Sequence, residues 1–151
     1  ERNTRPGTEN VPGIVGLAKA FEVAHLEMEE QEKSIQEIKS YTIKLLQEQV
    51  DGVAFNGNIQ PDKSLYTVLN VSLPPHPQKE MLLFKLDLEG ICLSGGSACN
   101  SGAAAGSHVL NALQHPEDRL AVRFSFGKYN TKNEIEKAVS VLSGLFQTVA
   151  Q

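Results

Sequence analysis

The chain has 151 residues, 40% of them hydrophobic and 21% charged, enough to bury one globular core and too apolar for general disorder. A formal net charge of -4, with no cluster of lysine or arginine, argues against a nucleic-acid binder and points to proteins or small molecules as partners. No apolar run approaches the roughly 20 residues that span a bilayer. Two cysteines, Cys92 and Cys99, are too few for a disulfide framework, so we expect a cytoplasmic protein with free thiols and no membrane partner.

Residues 1–8 are polar, carry Arg2, Arg5 and Pro6-Gly7, and lack an initiator methionine, so they read as a lead-in rather than the start of a fold. Asn10 as cap and Pro12 in the first turn begin a helix. Ile14, Leu17, Phe21, Ala24 and Met28, then Ile35, Ile38 and Leu45, recur at helical spacing. They predict one long amphipathic helix, with any kink near Lys33, ended by Asp51-Gly52. Residues 53–55 predict a short strand with a turn at Asn56-Gly57, and 66–73 a second strand stopped by Pro74-Pro75-His76-Pro77. Helical spacing returns over 78–88, and 91–93 is a short apolar strand. Ser107 caps a helix that runs to Leu113, residues 121–126 alternate as a strand, and 131–149 form a last amphipathic helix with Glu134 in its first turn. The expected class is α/β, in the form of an α+β two-layer sandwich: one small sheet with helices mainly on one face.

The chemistry concentrates in a glycine-rich and alanine-rich loop over about 94–106, where Cys99 is flanked only by small side chains. A thiol on such a backbone can be reached and deprotonated, whereas one in apolar packing is inert. Cys99 is either that reactive thiol or a small turn residue; Cys92, between Ile91 and Leu93, reads as packing. Zinc ligation by Cys92, Cys99, His108 and His115 is disfavoured, because six, eight and six residues intervene where structural sites use shorter spacings. No metal is expected. His108 reads as a local hydrogen-bonding residue that orients the loop, and nothing in the pattern supports a cysteine-protease arrangement. Arg123 is set among bulky apolar neighbours in Val122-Arg123-Phe124-Ser125-Phe126 and needs an anionic partner. An acidic side chain or a ligand carboxylate would serve. Phosphate-cradling glycine motifs of the nucleotide-binding kinds are missing from the sequence.

Three blocks, Arg5-Pro6-Gly7-Thr8-Glu9-Asn10-Val11-Pro12-Gly13-Ile14-Val15-Gly16-Leu17, Ser94-Gly95-Gly96-Ser97-Ala98-Cys99-Asn100-Ser101-Gly102 and Val122-Arg123-Phe124-Ser125-Phe126-Gly127, resemble successive blocks of the pyridoxal-phosphate-dependent cysteine desulfurases of class-V aminotransferase type. The resemblance covers almost the whole chain. It implies that Cys99 is the nucleophile that takes sulfur from L-cysteine, leaving alanine and a cysteine persulfide, that Arg123 binds the substrate carboxylate, and that Thr8 contacts the cofactor phosphate across a homodimer interface. It further implies a sulfur-acceptor or iron–sulfur scaffold protein as partner. The lysine that holds pyridoxal phosphate, with its neighbouring histidine, has no counterpart in these residues. On this resemblance the chain corresponds to the C-terminal small domain of a fold-type-I enzyme: 1–10 leads out of a large cofactor-binding domain, and 11–151 carries the cysteine loop. Pyridoxal phosphate would belong to the full-length enzyme, and the piece alone would be inactive. Two alternatives remain at this stage, a stand-alone persulfide carrier or scaffold-docking module without cofactor, and a selenocysteine lyase.

Overall fold

A computed structural model describes residues 7–95 and 107–147. The chain divides into two compact units, Glu1–Lys33 and Ser34–Gln151. The first holds Gly7 to Asn10 and the opening of helix α1 (Val11–Gln49). Asn10 is the expected cap: its Oδ1 accepts a hydrogen bond from the Gly13 backbone N–H at 3.2 Å. A side chain at position 13 would displace that cap, since a Cβ there would lie 2.6 Å from Asn10 Nδ2. The apolar stripe of this unit is solvent-facing; Ile14, Leu17 and Phe21 are all more than half exposed.

The second unit opens with the remainder of α1, from Ser34 to Gln49. Its buried positions Ile35, Ile38, Lys39, Thr42, Leu45 and Leu46 follow the three- and four-residue spacing of one helical face. Lys39 is 1% exposed; its ammonium donates to Ser64 Oγ at 2.9 Å and to the Leu65 carbonyl at 2.8 Å, which ties α1 to the 3₁₀ turn Pro61–Lys63. Burial pushes its pKa below that of an ordinary lysine. Gly52, at φ +72°, turns the chain out of the helix.

Four antiparallel strands follow, β1 (Ala54–Phe55), β2 (Val68–Leu73), β3 (Ser94–Gly95) and β4 (Leu120–Ser125), in the spatial order β1-β2-β4-β3. The register places Leu69 opposite Phe124, Val71 opposite Val122 and Leu73 opposite Leu120, so one face is aliphatic and aromatic. Because side chains alternate, the intervening pairs Asn70 with Arg123 and Ser72 with Ala121 lie on the other face. The apolar face forms one cluster with α1, with Leu86 of α2 (Lys79–Leu88) and with Ile135, Ala138, Val139 and Leu142 of α4 (Lys132–Gln147). Each large aliphatic side chain so buried contributes about 1.5–3 kcal/mol of transfer free energy. The sheet with α1, α2 and α4 packed on one face is the arrangement the sequence predicts, helices mainly on one side; α3 (His108–Ala112) contributes nothing to that cluster.

Helices α2 and α3 end in the same hydrogen-bond motif. At the end of α2, the N–H of Gly90 donates to Asp87 and that of Ile91 to Leu86; at the end of α3, Gln114 donates to Asn111 and His115 to Leu110. The first explains a shift in β3. The sequence places a strand at 91–93, but those residues are used in leaving the α2 cap, and pairing with β4 begins only at Ser94. Cys92, expected to be packing, is exposed there. Helix α4 begins at Lys132 rather than 131, because Thr131 caps it: Glu134 N–H donates to Thr131 Oγ1 at 3.3 Å and Thr131 N–H to Glu134 Oε2 at 2.8 Å. Among the described residues, no helix is long and apolar enough to cross a membrane.

Candidate functional site

The sheet face opposite the core gathers the polar groups. Arg123 lies on the third-placed strand of the sheet, with Asn70 of β2 on one side and Ser94 of β3 on the other. The strand fixes its backbone, and the flanking Val122 and Phe124 are buried on the core side, so its side chain is directed to the opposite face, where it is half-buried. Its Nε is buried and has no hydrogen-bond partner, and no ion pair to Arg123 forms among the described residues. A buried, unsatisfied donor on a charged group costs about 1–3 kcal/mol or more, and a bound carboxylate would recover it. Of the two partners the sequence allows for Arg123, an acidic side chain is not what the described structure supplies.

Around it runs a network the sequence did not announce. Asn56 Nδ2 donates to Asn70 Oδ1 at 2.7 Å, and His115 Nδ1 lies 3.1 Å from Asn56 Oδ1. His115 Nε2 is 3.2 Å from the carbonyl oxygen of Arg119. Arg119 donates through Nε to Ser72 Oγ at 2.7 Å, and through one terminal nitrogen to the carbonyl oxygens of Ser72 and Gly52 at 2.6 and 2.7 Å. The end of α1, the strands β1 and β2, and the stretch between α3 and β4 are thus bound together on this face. Asn56 stood in the sequence only as a turn residue, and His115 only as a rejected zinc ligand; the one available signal was a polar Asn70 interrupting the apolar run of β2.

Strand β3 pairs Ser94 with Arg123 and then enters residues 96–106, which contain Cys99 and lie outside the described residues. His108 opens α3 behind its cap Ser107, whose Oγ accepts from the Leu110 N–H at 3.4 Å. Thr8 lies in the first unit, exposed, two residues ahead of the Asn10 cap. The structure therefore brings Arg123 together with Asn70 and Ser94, and it describes Thr8 in a separate unit.

Residues 1–138 match the family described as aminotransferase class-V. The chain belongs to that family. It is 36% identical over 149 residues to the cysteine desulfurase IscS of Dictyoglomus turgidum, covering 97% of this chain and 37% of that protein. Identity to the putative cysteine desulfurase IscS 1 of Bacillus subtilis is 42% over 141 residues, or 91% of this chain and 36% of the relative. Among solved structures, a NifS-like protein superposes with a TM-score of 0.76 at 30% identity, over 97% of this chain and 36% of the other. The class-V chain thus spans little more than a third of the length of the relatives it matches, and its mixed fold is that of the NifS-like proteins.

Pyridoxal phosphate, implied by the resemblance, needs a lysine that binds it covalently and an acid for its ring nitrogen. The strand residues of the face opposite the core, Asn70, Ser72, Ala121, Arg123 and Ser94, include neither. Lys39, the one buried lysine, is committed to Ser64 and Leu65. This face therefore supplies neither group that would hold the cofactor, while Arg123, its Nε without a partner, fits a carboxylate.

Proposed function

We propose that this chain is the sulfur-accepting, C-terminal part of a cysteine desulfurase, 1–10 leading from a larger cofactor-holding domain and 11–151 forming the small domain. The observation that carries the reading is the buried, unpartnered Nε of Arg123 on the sheet face opposite the core, in a chain whose relatives bear the name cysteine desulfurase. Arg123 holds the substrate's carboxylate. Cys99, as thiolate, attacks the sulfur of bound L-cysteine: an S–S bond forms on Cys99, the substrate's C–S bond breaks, and its electron pair stays on carbon, which takes a proton to become L-alanine. One sulfur atom passes from substrate to Cys99, which holds it as a persulfide until an acceptor protein or iron–sulfur scaffold removes it.

Tether length supports the pairing of the two residues. Cys99 follows Ser94, the ladder neighbour of Arg123, by five residues, which reach no farther than about 18 Å when fully extended. The cofactor is held by the rest of a homodimeric protein, with Thr8 contributing to its phosphate site, and the location is cytoplasmic. The test is alanine and sulfide production from L-cysteine by the full-length protein and its Cys99→Ala form. We expect Cys99→Ala to bind the cofactor and yield neither product; normal turnover would remove Cys99 from the nucleophile's role, and release of selenide but not sulfide from the two amino acids would replace the substrate.

A further inference from the structure

A guanidinium facing an asparagine across two strands would ordinarily take the asparagine oxygen as its acceptor, satisfying both groups. Asn70 and Arg123 are such a pair, and that bond is not made. Asn70 Oδ1 instead accepts from Asn56 Nδ2 at 2.7 Å, and the Asn56 backbone N–H donates to the Asn70 carbonyl at 3.0 Å. His115 lies behind Asn56, its Nδ1 3.1 Å from Asn56 Oδ1 and its Nε2 3.2 Å from the Arg119 carbonyl; a neutral ring, with one N–H, donates to one of these two oxygens. Asn70 is thereby turned with its oxygen toward β1, and its Nδ2 hydrogens have no partner among the described residues. The face then presents two donors on paired residues, the Asn70 amide and the Arg123 guanidinium, and among the described residues no acceptor is bonded to Asn70 Nδ2 or to Arg123 Nε. That is the arrangement a carboxylate with two oxygens fills.

We propose that Asn70 is a second donor to the substrate carboxylate beside Arg123, and that Asn56 is a positioning residue that holds Asn70 in its donor orientation. This rests on the assignment of Arg123 above and extends it to specificity: the pair selects an α-carboxylate against an amine lacking one.

The experiment uses the full-length protein with L-cysteine as substrate, and with L-alanine and cysteamine as competitors, the second lacking the carboxylate. Asn70→Ala should raise KM for L-cysteine about tenfold, the loss of one hydrogen bond to a charged group, and weaken inhibition by L-alanine to a similar extent while cysteamine inhibits as before. Asn70→Asp preserves shape and the Asn56 contact but sets a carboxylate against Arg123, and should raise KM further. Asn56→Ala should move KM in the same direction as Asn70→Ala, by less. A KM lowered or unchanged in Asn70→Ala, or equal weakening of cysteamine, overturns the proposal; if Arg123→Ala raises KM at the same time, the Arg123 assignment survives. Unchanged KM in both Asn70→Ala and Arg123→Ala overturns the two together.

Discussion

Gly90 and Gln114 hold equivalent places in the fold: each is the left-handed residue that closes a helix, at φ +75° and +55°, and each turns the following residue back onto the carbonyl five positions earlier. Only the first is a glycine. A residue with a Cβ loses stability in this conformation, so Gln114→Gly should stabilise the protein by about 0.5–1 kcal/mol. Chemical denaturation with an unchanged slope would show it, and a loss of stability would mean that the Gln114 side chain contributes more than its backbone strain costs.

The role proposed for Arg123 sets function and stability against each other. Replacing it by methionine removes a buried, unsatisfied donor and keeps most of the aliphatic stem, so the variant should be as stable as the parent protein or more so, by up to about 1–2 kcal/mol. In the full-length protein the same variant should lose desulfuration of L-cysteine by about a hundredfold or more in kcat/KM. Thermal unfolding and steady-state kinetics on one preparation test both halves. A destabilised Arg123→Met would show that the arginine is a structural group.

Arg119 is the opposite case, a guanidinium with every visible role structural. Its bonds to Ser72 and Gly52 join β2 to the turn after α1, and Ser72 is itself buried. Arg119→Ala should cost about 2 kcal/mol in urea unfolding, in the range for hydrogen bonds to charged groups, and Arg119→Lys should recover only part of it because one ammonium cannot reproduce the fork.

Much of this was legible beforehand, for identifiable reasons. The α4 helix was found from its apolar stripe and the Thr131 and Glu134 signature, both local in sequence. The second half of α1 was found from its period, yet the same period in the first half faces solvent, since periodicity reports a face and not what covers it. The strand expected at 91–93 appears at Ser94–Gly95 because a helix-closing motif consumed the residues between, and Cys92 came out exposed with them. Around Arg123 the residue was legible as an arginine in want of an anion. Its neighbours were not: the Asn56 to His115 contact joins positions 59 apart, and neither residue carries a local pattern that reveals it.

The cap of α4 makes a pH prediction. The Thr131 backbone N–H, and then its hydroxyl, hold the Glu134 carboxyl below the usual glutamate range. A carboxylate with a depressed folded pKa contributes stability that is present above the unfolded value and is lost as pH falls through the folded one. Glu134→Ala should therefore lower the melting temperature at neutral pH, and the gap to the unsubstituted protein should close below the ordinary glutamate range. A gap independent of pH would assign the loss to helix propensity instead of the cap.

Lys39 gives the fold a chemical signature. An amine-acylating reagent modifies lysines that solvent reaches, and Lys39, almost wholly enclosed and engaged at its nitrogen, is shielded in the folded chain while an exposed neighbour such as Lys44 is open to attack. The ratio of label on these two positions, read by peptide mass spectrometry, counts folded molecules directly in a crude extract, before any activity has been measured.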